Sequence, residues 1–179
     1  FDLQQKVNTL VASDGDTFDF RDPSLRDTLS NANPEDDIQI IFWQDWCPHC
    51  QEQMDDMIED GKGKKTVFVE RSAFKQDIAE TLNGEKKMQY LWDAVKSITS
   101  EKEGAVSTQD IAEQLNAIDP SLYEDYMRLS PTQRVLLGQI GDGGVPHHPV
   151  VKANDIQKGL RGEITLETQV TDKPKTPQP

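Results

Sequence analysis

Basic residues are scarce in this chain: 19 Lys and Arg stand against 32 Asp and Glu, giving a net charge of −13 over 179 residues. No stripe of Lys or Arg is visible, which argues against nucleic-acid binding through a basic face. The acidic surface favours solubility and repels acidic partners, and it names no substrate. Long apolar runs are also missing. The longest, Ile38–Trp43, is broken by Gln39 and is far short of a membrane span. Cysteine is limited to Cys47 and Cys50, so there is no disulfide framework. A bridge between them would close too small a loop to stabilise the fold much, and a chain of this length can bury a core without one. An initiator Met is absent at Phe1, as in a mature exported protein or a trimmed piece.

What is present is a strand and helix pattern. Asn8–Phe20 reads as two short strand-like runs around the Asp14-Gly15 turn signal. The stretch from Asp22 to Asp37 predicts a short helix and a polar loop. Ile38–Trp43 is β-branched and apolar, a buried strand. Met54, Met57 and Ile58 then form one helical stripe ending near Gly61, and Lys64–Glu70 is a second central strand. Strand, helix and strand at this spacing predict a βαβ unit with parallel strands. From Ser72 to Ile140 the periodicity is helical. Its stripes are Phe74, Ile78 and Leu82; Met88, Leu91, Trp92, Val95 and Ile98; Ile111, Leu115 and Ile118; Leu122, Tyr123 and Tyr126; and Val135, Leu136 and Ile140. Asn83-Gly84 ends the first, Ser107–Asp110 resembles a capping box, and Pro131 opens the last. The chain then breaks into "GDGGVPHHPVV", a β-branched strand. Lys152–Gly162 reads as a turn and a returning strand, and the segment 171–179 as a disordered polar tail.

Both cysteines lie in "FWQDWCPHCQ", at the junction of the first central strand and its helix. There Cys47 would meet the unpaired N–H groups and positive dipole end of the helix, which favour a thiolate. The thiolate is the nucleophile in disulfide exchange. Pro48 suits the first turn because its missing amide hydrogen would go unpaired there. His49 can bring positive charge close to the Cys47 sulfur. Cys50 lies one turn on, in reach to close the ring or resolve a mixed disulfide. A stabilised thiolate makes the disulfide more oxidising, so the pattern leans towards disulfide donation. Zinc is the competing use: Cys47, Cys50, His147 and His148 make a Cys2His2 set. Adjacent histidines are a poor match to the usual spacing in structural sites, so no metal is assigned. No small-molecule cofactor is implied.

"FWQDWCPHC" resembles the thioredoxin-fold active site, in which a strand ending Phe-Trp is followed by an acid (Asp45), Trp (Trp46) and C-x-x-C. The Pro48-His49 dipeptide is similar to that of the DsbA-type bacterial disulfide oxidases. So is the long helical stretch before "GGVP". The resemblance implies an α/β thioredoxin fold, residues 1–71 and 141–170, with a helical insertion, residues 72–140, between the second central strand and the cis-proline strand. It implies that Pro146 is the cis-proline and that Val145 pairs with an extended substrate segment beside Cys47, with Trp46 also on the substrate side. It implies a protein thiol:disulfide oxidoreductase, periplasmic or otherwise exported, acting on cysteine-containing proteins and reset by a redox-recycling partner. A reductase or isomerase is the alternative direction, and a zinc-bound or idle peptide-binding module is the alternative of another class. The chain departs from the family pattern in three places. Ile41 stands where an acid is often buried, His147-His148-Pro149 follows the proline, and no C-terminal helix is evident.

Overall fold

The computed structural model describes residues 3–45, 50–101, 106–141 and 147–166, the side chain of Cys50 excepted. Its centre is a mixed four-stranded sheet with helices on both faces, an α/β architecture. The strands are β1 (Thr17–Asp19), β2 (Asp37–Trp43), β3 (Lys65–Glu70) and β4 (Val150–Lys152), in the spatial order β1-β3-β2-β4. β3 runs parallel to both β1 and β2, and β4 is antiparallel to β2. The strand, helix and parallel strand expected around Ile38–Glu70 are present, with α3 (Cys50–Asp60) between β2 and β3.

The pleat divides the strand residues between two apolar layers. Ile38, Ile40 and Phe42 of β2 and Val67 and Val69 of β3 face one side, while Ile41, Trp43 and Phe68 face the other. The second side is covered by α1 (Leu3–Ser13) and α3, through Leu3, Val7, Met54 and Met57. The first is covered by α2 (Leu25–Ser30), the five helices between β3 and β4, and α9 (Ala153–Arg161). Those five are α4 (Arg71–Leu82), α5 (Glu85–Ser100), α6 (Thr108–Ile118), α7 (Pro120–Arg128) and α8 (Pro131–Leu137). Their buried side chains and those of the strands form one continuous apolar cluster.

Local signals explain the helix ends. Asn83 takes the left-handed conformation at φ 55° and closes α4. The Ser107 hydroxyl accepts from the Asp110 N–H, and Ser130 and Gln133 form a reciprocal capping box in front of Pro131. The expected stripes are buried apart from three residues: Ile58 and Tyr123 are partly buried, and Ile118, the last residue of α6, is 57% exposed.

Two strand expectations are corrected. The first run of Asn8–Phe20 belongs to a helix, α1, and only Thr17–Asp19 is a strand. Leu3, Val7 and Leu10 recur at helical spacing, and a window starting at Asn8 cuts that period. The returning strand in Lys152–Gly162 is also a helix, so a C-terminal helix is present. Ala153, Ile156 and Leu160 lie on one buried stripe. Gly159, which suggests a turn in the sequence, instead lets α8 approach: a Cβ there would come within 2.7 Å of Val135 Cγ2.

Candidate functional site

β2 is buried along its whole interior, and the cysteine motif follows it in the chain. α3, described from Cys50 onward, is held against the sheet by Met54 and Met57. Trp46, Cys47, Pro48, His49 and the Cys50 side chain lie outside the described residues, as do Val145 and Pro146. Their surroundings are described up to their borders.

On the strand side, the Asp45 carboxylate accepts a 3.0 Å hydrogen bond from the Leu3 N–H, one of the unpaired donors at the start of α1. The motif's acid is thus tied to the first helix. Ile41 is fully buried among Leu3, Val7, Trp43 and Met54, so the position at which the resemblance leads one to expect an acid is occupied by core.

The segment beyond Pro146 returns to the same strand. His147 and Phe42 exchange both backbone hydrogen bonds, at 2.7 and 3.1 Å, and the Ile40 N–H donates to the Pro149 carbonyl at 3.0 Å. The His147 ring stacks on Phe42 with centroids 6.1 Å apart and an interplanar angle of 28°. Gly141 also lies against it: its φ is +67°, and a Cβ there would stand 2.8 Å from His147 Nε2. Gly141 and His147 are the two described residues that border the segment 142–146, and they lie against each other.

His148 points elsewhere. It is partly exposed, and its Nε2 lies 3.8 Å from Asp60 Oδ2 at the last residue of α3. Cys50 and Asp60 are the two ends of that helix, about 15 Å apart at 1.5 Å rise per residue. An open cavity of about 370 Å³ lies here, lined by Gln53, Asp56, Met57, Asp60, His147 and His148. The two adjacent histidines therefore diverge, one stacked on Phe42 and one over the end of α3. Among the described residues no group of three or more His, Cys, Asp or Glu side chains could hold a metal ion. An apolar cavity of about 330 Å³ between α6, α8 and α9 is lined by neither cysteine nor histidine.

One residue at this end of the sheet went unread in the sequence. Arg71, directly after β3, is 6% exposed, and its Nη1 has no hydrogen-bond partner among the described residues. The only sequence sign of it was a cation directly after a buried strand.

Among the described residues no helix is long and apolar enough to cross a membrane. Comparison with models of protein families, with curated proteins and with solved structures found no match.

Proposed function

We propose that this chain is a thiol:disulfide oxidoreductase of the thioredoxin fold, DsbA-like in type, that donates the Cys47–Cys50 disulfide to cysteine pairs of other proteins. In the reaction a substrate thiolate attacks Cys47 Sγ, the Cys47–Cys50 bond breaks, and Cys50 leaves as a thiolate. The second substrate thiolate attacks the substrate sulfur of the mixed disulfide and releases Cys47. The substrate loses two electrons and the Cys47–Cys50 pair gains them, so a recycling partner must reoxidise it. His49 and the N-terminus of α3 would stabilise the Cys47 thiolate, and Pro48 would shape the first turn. Val145 and Pro146, with Trp46, would align the substrate strand. Within this reading the helices between β3 and β4 are the insertion of the family, and the setting is periplasmic or otherwise exported.

The observation that supports this best is the antiparallel pairing of His147 with Phe42. It ties the residue after Val145-Pro146 to the strand that ends in the cysteine motif. The parallel β2 and β3 with α3 between them agree with the same reading. One departure stands beside it: β4 leads straight into α9, where the family has a further strand.

The test is oxidation of a reduced dithiol peptide by the oxidised protein. Cys47→Ser is expected to abolish exchange, and Cys50→Ser, mixed with the disulfide form of the peptide, to trap a mixed disulfide visible by mass as Cys47 attacks and one peptide thiolate leaves. The pair is expected to be readily reduced by glutathione. Exchange that survives Cys47→Ser, or no exchange at all, overturns the reading. A glutathione-resistant pair turns it towards a reductase.

A further inference from the structure

Arg71 is a buried cation that no described acid balances. Among the described residues its buried Nη1 has no hydrogen-bond partner and its guanidinium no ion pair, and the guanidinium carbon lies 5.4 Å from the centre of the Trp92 ring. The Lys75 ammonium, one turn along α4, lies 5.0 Å from the same ring. Burial lowers the Arg71 pKa. Burial and then repulsion from Arg71 lower that of Lys75, while Asp93 works against them. The nearest acid in sequence, Glu70, is otherwise engaged: its carboxylate caps α4 by accepting from the Ser72 and Ala73 N–H groups. Buried charges are ordinarily paired, because desolvation is costly without a partner.

The position of this pair relates it to the cysteine motif. β2 and β3 are parallel neighbours, and Trp43 stands opposite Glu70 in their register. Arg71 and the cysteine motif therefore leave adjacent strands at the same carboxyl end of the sheet, the end at which open α/β sheets take ligands.

We infer that Arg71 and Lys75, backed by Trp92, form a subsite for a carboxylate carried next to the reacting cysteine of the substrate. Lys75, the more exposed of the two, meets the carboxylate first, and Arg71 supplies the second charge. The inference rests on the disulfide-exchange reading and names a substrate class for it: thiols with an adjacent acidic group. On a chain of net charge −13 the overall field slows acidic partners, so a preference for them must arise from a local site.

The experiment compares two cysteine peptides identical but for Glu or Gln beside the cysteine, each reacted with the oxidised protein. The wild type is expected to react about tenfold faster with the Glu peptide, the scale of one hydrogen bond to a charged group. Arg71→Met, which keeps the contact with Trp92, is expected to abolish the preference, read as the ratio of the Glu-peptide to the Gln-peptide rate. Lys75→Gln is expected to reduce the preference, and it decides the matter should Arg71→Met fail to fold. Glutathione and its diethyl ester form a parallel pair. Discrimination there but not between the peptides assigns the subsite to a small thiol. Equal rates within both pairs, or a preference unchanged in the folded variants, overturn the subsite while leaving disulfide exchange intact. If none of the four thiols reacts, the exchange reading itself fails, and the subsite with it.

Discussion

The backbones of Phe42 and His147 are bound to each other through both N–H groups, and their rings are stacked. The contact joins the strand before the cysteine motif to the loop after Pro146, and Gly141 closes it from behind.

His147→Ala removes the ring stack and leaves the backbone pairing. The expected cost is about 1 kcal/mol, the usual scale of an aromatic pair. Gly141→Ala meets two obstacles, a φ of +67° and an approach of 2.8 Å to His147 Nε2, for an expected cost of about 1–3 kcal/mol. In the double variant the imidazole is gone and only the backbone strain remains. The cost of Gly141→Ala should therefore be smaller in the His147→Ala background. Urea denaturation of the four proteins measures that coupling, and strict additivity would count against the packed contact.

Tyr126 is fully buried, its hydroxyl has no hydrogen-bond partner among the described residues, and the Arg134 guanidinium lies 5.9 Å from its ring centre. Burial pushes the phenol far above its ordinary pKa of 10.0, and Arg134 offsets this only in part. Above that ordinary value the unfolded chain loses a proton that the folded chain keeps. Stability must therefore fall as pH rises past about 10. Tyr126→Phe is expected to flatten that fall. At neutral pH it should be neutral or stabilising by about 1 kcal/mol, since it removes an unpaired buried hydroxyl. Denaturation midpoints at pH 7 and pH 11 test both, and an unchanged slope would show that other groups dominate.

The Gln157 side chain is buried and donates to the carbonyls of Leu29, Ser30 and Ala32 at 3.0, 3.3 and 2.8 Å. It thus caps the C-terminal end of α2 from α9. Gln157→Leu keeps the bulk and strands those carbonyls, for an expected loss of about 1–3 kcal/mol. Gln157→Glu should cost more at pH 7, where a carboxylate would face the negative end of α2. Part of that loss should return on acidification, as the introduced acid is protonated. Thermal melts at pH 4 and pH 7, each compared with wild type, would show it.

Where residue type and local period decided the structure, the sequence was readable. The run Ile38–Trp43 is apolar at nearly every position because β2 is central and covered on both faces. The stripes of α4 to α8 were legible because each turns one face to a single shared cluster. Arg71 was not legible, because nothing in the chain around it says that its charge is buried without an acid.

By itself the sequence determined the strand and helix pattern from Ile38 to Ile140 and the chemistry available in C-P-H-C. These follow from residue type and local period, which need no knowledge of distant neighbours. Only the tertiary structure decided that Gly159 sits inside a helix rather than at a turn and that His147 lies against Phe42 while His148 reaches Asp60. A glycine and two histidines carry no local period, so their states were set by what packs on them: Val135 over Gly159, Phe42 and Gly141 around His147, and the end of α3 beside His148.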